Sequence, residues 1–415
     1  MRLPRTDSPL KPERAGLNRR ALTALLLGLP ALAPGRASAL DQAPALRRGM
    51  NIHNLLNWPE ADRQGGQVTY LWPPFTAQRY QITDAALAEL RLAGFDFIRL
   101  TVDPSILMAS AADRQPELLA IIHRTIRQIL GAGFQVVVDL HPVAVNPSYA
   151  PDRLIAAENP DLFTTYVDMV GRVAASLASL PPDRVAFELI NEPRIVKAAE
   201  LGRWQSMMER LHAAARTAAP QLPLVLTGAQ WSSIDALLRL DPAPFKSSNV
   251  LYTFHFYDPH TFTHQGVPGE GAQYLRNMNW PPQPAQAEAL LEGATARINA
   301  DPKVAAADKD AVIARSRKLI RDYFGTPTGR EVIDRRFDAV AAWAQRNGIP
   351  NGRVLLGEFG GVWRVSGSDG IAQDRVAWLA AVRSAAEARG FAWAYWAYEL
   401  PLERDVLSGL GLPKS

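Results

Sequence analysis

VAFELINEP, residues 185–193, sets apolar side chains around a single glutamate and then stops at Asn-Glu-Pro. Consecutive side chains of a strand point to opposite faces, so Val185 to Ile190 read as a strand apolar on both. Such strands belong to parallel sheets covered by helices on both sides. The same signature returns along the chain in RRGMNIH (47–53), DFIRLTV (96–102), FQVVVDL (134–140), PLVLTGA (223–229), VLYTFHF (250–256), RVLLGEF (353–359) and GFAWAYW (390–396). Helical patterns lie between them, such as TDAALAELRLAG (83–94) and PELLAIIHRTIRQILGAG (116–133), both closing on the glycine expected after a helix.

Eight strands separated by helices predict an α/β protein, a closed (β/α)₈ TIM barrel forming a single domain over residues 40–415. An open doubly wound sheet is the alternative, and the lack of a Gly-rich phosphate loop after any strand weighs against its nucleotide-binding form. One connection is oversized: residues 258–352, between strands six and seven, hold WPPQPAQ and helical stretches near 287–300, 308–324 and 331–347.

With 415 residues and 47% hydrophobic composition, the chain has ample material for one large core. Its formal charge is only +4, and its Lys and Arg are dispersed beyond the N-terminus, so no nucleic-acid partner is expected. The absence of cysteine excludes disulfides, thiolate metal sites and a cysteine nucleophile. Residues 1–39 have the three parts of an export signal: a basic stretch ending at Arg19-Arg20, the apolar run ALTALLLGLPALA, and the small-residue exit Ala37-Ser38-Ala39. The paired arginines resemble a twin-arginine signal, with a general secretory signal as the alternative. The expected location is therefore periplasmic or secreted. The apolar run is too short and too Pro-broken for a membrane span, and the expected state is a monomer.

In a (β/α)₈ barrel the working residues stand where the strands finish. Those ends carry His53 and Asn54, Arg99, His141, Asn191 and Glu192, Gln230 and Trp231, His255 and Tyr257, Glu358, and Trp396. Glu192 and Glu358 follow strands four and seven, across the mouth from each other. Two facing carboxylates suit cleavage of a glycosidic bond, one giving a proton and the other attacking or activating water. Glu188 is separable from this pair. Four residues at ~3.3 Å rise would set it about 13 Å below Glu192, so its role is structural, with Arg99 as the expected counter-charge. Trp58, Trp72, Trp231, Trp280, Trp363 and Trp396 fall at strand ends or in loops, where indole faces suit the CH faces of sugar rings. Two readings fit less well. His255, Asp258, His260 and His264 suggest metal ligands, but strand one lacks the paired histidines and strand eight the terminal acid of metal-dependent barrel hydrolases. No G-x-S-x-G elbow supports a serine nucleophile.

The ordered set resembles glycoside hydrolase family 5, the cellulase-type retaining glycosidases. Arg99 in FIRL, His141 in VVVDLHP, Asn191-Glu192 in NEP, His255 and Tyr257 in FHFYDP, Glu358 in LLGEFG and Trp396 in AYWAYE fill its eight functional positions. The resemblance spans about residues 46–400. It implies Glu192 as acid/base, Glu358 as nucleophile, Asn191 on the sugar 2-hydroxyl, and His141 and His255 as orienting groups. It also implies a retaining endo-β-glycosidase on a β-linked polysaccharide or oligosaccharide, β-1,4-glucan first. A β-mannanase, a β-1,3/1,6-glucanase or an exo-glucosidase on the same scaffold are the alternatives, and a non-catalytic polysaccharide-binding protein is the rival from another class. No cofactor is implied. Pro142 departs from the Gly, His or Asn more usual after the strand-three histidine, and the long connection also departs from the pattern.

Overall fold

The computed structural model describes residues 43–246, 249–268, 272–361, 372–399 and 404–413. The export segment 1–39 and Trp363 lie outside the described residues. Eight parallel strands close into a barrel in chain order: β1 (Arg48–Leu56), β2 (Phe97–Val102), β3 (Gln135–Leu140), β4 (Val185–Glu188), β5 (Leu224–Thr227), β6 (Val250–His255), β7 (Val354–Gly360) and β8 (Ala392–Trp396), which returns to pair with β1. The expected TIM barrel is the observed fold.

Helices wrap the barrel because their apolar stripes match the outer faces of the strands. Gln115–Gly131 buries Leu118, Ile122, Ile126 and Ile129. Asp84–Leu92 starts where the Thr83 side chain accepts the amide of Ala86 at 3.1 Å. The long connection folds into helices Ala287–Ala300, Lys309–Gly325 and Arg330–Arg346, close to the predicted stretches. The last of these packs Phe337 edge-on against Phe254 and Phe256, so it serves as the barrel helix between β6 and β7. A short antiparallel hairpin, Ala61–Gln64 with Gln67–Tyr70, follows β1 and was not foreseen. No helix among the described residues is long and apolar enough to cross a membrane.

Inside the barrel the residues form layers. At the bottom Phe97, Val137, Ala186, Val225, Leu251, Leu355 and Ala394 make a separate apolar cluster. Gly49 admits the Phe97 ring there, since a Cβ on it would stand 2.2 Å from the ring tip. Two residues further along each strand the interior turns polar: Asn51, Arg99, Asp139, Glu188 and Thr253 are all fully buried.

Two departures from ideal strands shape the mouth. The first is at β4, whose ladder ends at Glu188 rather than at Asn191. The chain then bends, with the Asn191 amide donating to Leu140 O at 2.8 Å and Glu192 at a left-handed φ of 45°. The second is in β7. Thr253 pairs with Leu355 and Phe254 with Leu356, but His255 pairs with Glu358, leaving Gly357 as the extra residue of a bulge. Strict alternation from the inward Leu355 would send Glu358 outward, and the bulge turns it inward.

Candidate active site

Arg99, reaching up from β2 with no exposed surface, organises the cluster. Its Nε and Nη2 donate to the two oxygens of Glu188 at 2.7 and 2.8 Å, a bidentate pair. Its Nη1 donates to Glu358 Oε1 at 2.8 Å and to Asn51 Oδ1 at 3.0 Å. Its Nη2 also donates to Asn191 Oδ1 at 2.8 Å and lies 3.1 Å from Asp139 Oδ2. Arg99 is thus the partner of Glu188 that a buried acid requires. The 13 Å separation inferred for Glu188 assumed a regular strand through Glu192, and the ladder stops at Glu188. Glu188 instead shares one guanidinium with Glu358.

The second network runs through His141. Its Nδ1 is 2.7 Å from Asp139 Oδ2, and Asn191 Nδ2 lies 3.2 Å from its Nε2. Arg99 claims the Asn191 oxygen, so the amide nitrogen must face His141 and donate to Nε2, which puts the ring proton on Nδ1 toward Asp139. Burial, opposed in part by Glu358, lowers the His141 pKa to about 4, and the ring is neutral. Burial raises Asp139 to about 7 despite the pull of Arg99.

Glu358 and Glu192 differ in what holds them. Glu358 is almost fully buried, and each oxygen takes a donor: Arg99 Nη1 on Oε1, and the Tyr257 hydroxyl on Oε2 at 2.8 Å. Glu192, whose side chain is 26% exposed, meets only His255 among the described residues, its Oε1 lying 2.9 Å from Nδ1. Burial is the main force raising both carboxyls. His255 and Arg99 pull Glu358 back down, and His141, Arg99 and Arg194 do the same for Glu192.

Glu192, His255 and Glu358 bring ligand-capable atoms within 4.8 Å of one another, so a cation would find them first among the described residues. Both Glu358 oxygens and His255 Nδ1 are already engaged in hydrogen bonds, and a metal would have to break that network. His260 and His264 take no part in this trio: their rings stack on each other at 3.6 Å, and His264 lies edge-on to Tyr257.

Trp396 stands half-buried at the tip of β8, stacked on His141 at 5.4 Å and tilted against His53 at 5.0 Å. Trp231 is 48% exposed in a run of left-handed residues after β5, and its amide donates to Pro193 O at 3.2 Å, beside Glu192. Trp58, beyond β1, is 44% exposed. Trp280 is buried and serves packing, with its Nε1 bonded to Thr328 O. Trp72 donates to Glu117 and lies under the Arg114 guanidinium. Asn54 enters through its backbone, donating to Glu399 Oε1 at 2.7 Å.

Three residues of the cluster escaped the strand-end reading. Asn51 and Asp139 sit inside strands, each two residues before a strand-end histidine and therefore on the same inward face. Asn51 Nδ2 grips the bulge by donating to Gly357 O at 3.0 Å and to Tyr395 O at 3.2 Å. Glu399, three residues past Trp396, accepts the amides of His53 and Asn54 and so ties the end of β8 to β1.

The family model for cellulase, glycosyl hydrolase family 5, matches residues 61–399. Endoglucanase 3 of Fibrobacter succinogenes is 26% identical over 244 residues, covering 59% of this chain and 34% of that protein. Endoglucanase C of Acetivibrio thermocellus is 28% identical over 209 residues, covering 49% of this chain and 58% of that protein. The chain thus spans a third to somewhat over half of these relatives. The crystal structure of cellulose synthase subunit Z from Clostridioides difficile superposes with a TM-score of 0.60 at 22% identity, covering 88% of this chain and 99% of that one. That likeness supports the barrel. With the family match spanning most of its length, the chain belongs to the cellulase family, glycosyl hydrolase family 5.

Proposed function

We propose that the site cleaves internal β-1,4 linkages of a glucan with retention of configuration, Glu358 acting as nucleophile and Glu192 as acid and then base. The observation that carries this reading is the unequal bonding of two carboxylates whose nearest oxygens lie within 4.8 Å. That nearest-oxygen distance is on the scale of the ~5–5.5 Å carboxyl separation of retaining enzymes rather than the ~6.5–9.5 Å of inverting ones, which supports retention. Donors to an ionised form favour it, and Glu358 has two where Glu192 has one.

In the first step a Glu358 oxygen attacks the anomeric carbon while Glu192 delivers its proton to the departing glycosidic oxygen. The resulting glycosyl ester removes the charge of Glu358, and the pKa of Glu192 falls. Glu192 then takes a proton from water as the water's oxygen displaces Glu358, restoring both carboxyls. Asn191, with one amide proton on His141 and its oxygen on Arg99, keeps its second amide proton for the sugar 2-hydroxyl. Trp396 offers an indole face to that sugar, and Trp231, beside Glu192, offers one to the leaving side. Two relatives named endoglucanase support internal cleavage of a glucan. Action outside the cytoplasm, after loss of residues 1–39, belongs to the same proposal.

Turnover of soluble β-1,4-glucan by the mature protein and its Glu192→Gln and Glu358→Gln variants tests the assignment. Each variant should lose roughly 10²–10⁴-fold. An aryl glycoside with an activated phenol needs no proton in the first step, so Glu192→Gln should release a burst of phenol and Glu358→Gln none. A product that first appears as the inverted anomer would contradict the nucleophile.

A further inference from the structure

Two buried polar atoms of β6, Thr253 Oγ1 and His255 Nε2, have no hydrogen-bond partner among the described residues. The residues are two apart on the inward face of the strand, and both atoms border the Cα of Gly357, the extra residue of the β7 bulge. A Cβ at position 357 would lie 2.5 Å from Thr253 Oγ1 and 3.2 Å from His255 Nε2. Two atoms that close to one point can be spanned by a single water making hydrogen bonds of ~2.8 Å to each.

The opposite nitrogen of the same ring faces the reaction. His255 Nδ1 is 2.9 Å from Glu192 Oε1 and 3.5 Å from Glu358 Oε2. The charged and titratable groups around the ring are Glu192 and Glu188 on and beyond β4, Glu358 from β7, Arg99 from β2, His141 from β3, and Tyr257 just past β6. Burial, opposed by Glu358, lowers the ring to about 4, so at working pH it is neutral and carries one proton. The nitrogen that holds this proton decides what Glu192 meets. With N–H at Nδ1, the ring donates to Oε1, and an acid proton on Glu192 must occupy Oε2. With N–H at Nε2, the bare Nδ1 accepts the acid proton of Glu192 and diverts it from the leaving oxygen.

We propose that Thr253, through one water seated over Gly357, supplies a hydrogen bond to His255 Nε2 and thereby fixes the Nδ1–H tautomer that keeps the acid proton of Glu192 on Oε2. The Thr253 hydroxyl donates to the water, and the water donates to the ring. Thr253 is a positioning residue, touching neither sugar nor carboxylate. Its effect on rate rests on Glu192 being the proton donor, but the tautomer can be measured without any substrate.

Nitrogen-15 NMR of histidine-labelled full-length protein, with the His255 signals assigned by their loss in His255→Gln, separates protonated from bare ring nitrogens. The wild type should show Nδ1 protonated and Nε2 bare. Thr253→Val keeps the shape and removes the hydroxyl. It should populate the Nε2–H form and lose about tenfold in kcat on glucan with KM unchanged, while an activated aryl glycoside still gives a wild-type burst. Thr253→Ser should restore both the tautomer and the rate. A wild-type ring protonated on Nε2 would overturn the proposal whatever the rates. So would a Thr253→Val protein with unaltered tautomer, whether its turnover held or fell. Failure of the Glu192 assignment would show separately, as full glucan turnover by Glu192→Gln.

Discussion

Phe97 and Arg99 face the same barrel axis from the same strand, both wholly buried, and they are held by opposite physics. Phe97 lies in a layer of Val137, Ala186, Val225, Leu251, Leu355 and Ala394, where stability comes from filling volume with apolar surface. One step up, a single guanidinium answers three carboxylates, those of Asp139, Glu188 and Glu358. Such a layer is no more stable than apolar packing of equal volume, because desolvating the charges costs about what their attraction returns. The barrel therefore keeps its ionic layer for what it does at the mouth and rests on the apolar layer beneath. The two layers should fail in different ways. Below, shape matters and chemistry does not; above, removing one partner strands the others.

Arg99→Lys tests the upper layer most severely. An ammonium cannot reproduce the fork that binds Glu188 while also reaching Glu358, Asn51 and Asn191. Stranding buried carboxylates should cost ~3–5 kcal/mol in denaturant unfolding. Turnover of glucan should fall by roughly two orders of magnitude or more as the Glu358 carboxylate loses its charge partner. Near-normal turnover at reduced stability would show that the network only holds the fold.

Phe97→Ala is the matching cut below. It should cost ~3–5 kcal/mol through lost burial and the cavity left behind. At temperatures well below its melting point, kcat and the pH profile should remain those of the wild type. A displaced pH optimum would mean that the layers are coupled and the contrast between them false.

The two layers were unequally legible. The barrel followed from eight runs apolar on both faces, because a parallel sheet under helices admits few other patterns. His141, Glu192, His255, Tyr257 and Glu358 were legible as polar residues late in or just after apolar strands, Arg99 stands inside its strand instead of ending it, and the structure brings all six into one network. Irregular backbone was the obstacle elsewhere. Alternation from Leu355 points Glu358 outward, and it takes the register of β7 against its neighbours β6 and β8 to reveal the bulge at Gly357. The depth assigned to Glu188 rested on a regular strand through Glu192, and a per-residue rise does not apply once the chain has left the ladder at Glu188. Asn51 and Asp139 sat in plain view as polar residues of inward parity, but they were read as strand interior. Glu399 holds β8 to β1 across more than 340 residues of chain, a contact that no local pattern announces.

A third buried position on β2's path sharpens the comparison with a smaller effect. Asp103 follows the strand, fully buried, and caps the helix Pro104–Ala109 by accepting the Ser105 amide at 2.8 Å. Unlike Glu188 it has no cation beside it among the described residues, and its second oxygen has no hydrogen-bond partner among them. Burial, opposed only by the Ser105 hydrogen bonds, raises its pKa from 3.8 to about 7. The sign follows from which state ionises first. Below about 4 the acid is protonated in both states, and its full contribution to stability is present. Between about 4 and 7 the unfolded chain ionises while the folded one does not, so stability drains away as pH rises, and above that range the loss is constant. An Asp103→Asn substitution would keep the cap without titrating. The melting temperature of that variant minus that of the wild type should therefore climb from about pH 4 to about pH 7 and then level off. His141 and His255, which lose stability in the opposite direction as pH falls below their ordinary value, are common to both proteins and cancel in the difference. A difference that does not change with pH would mean that Asp103 stays ionised when buried without a cation.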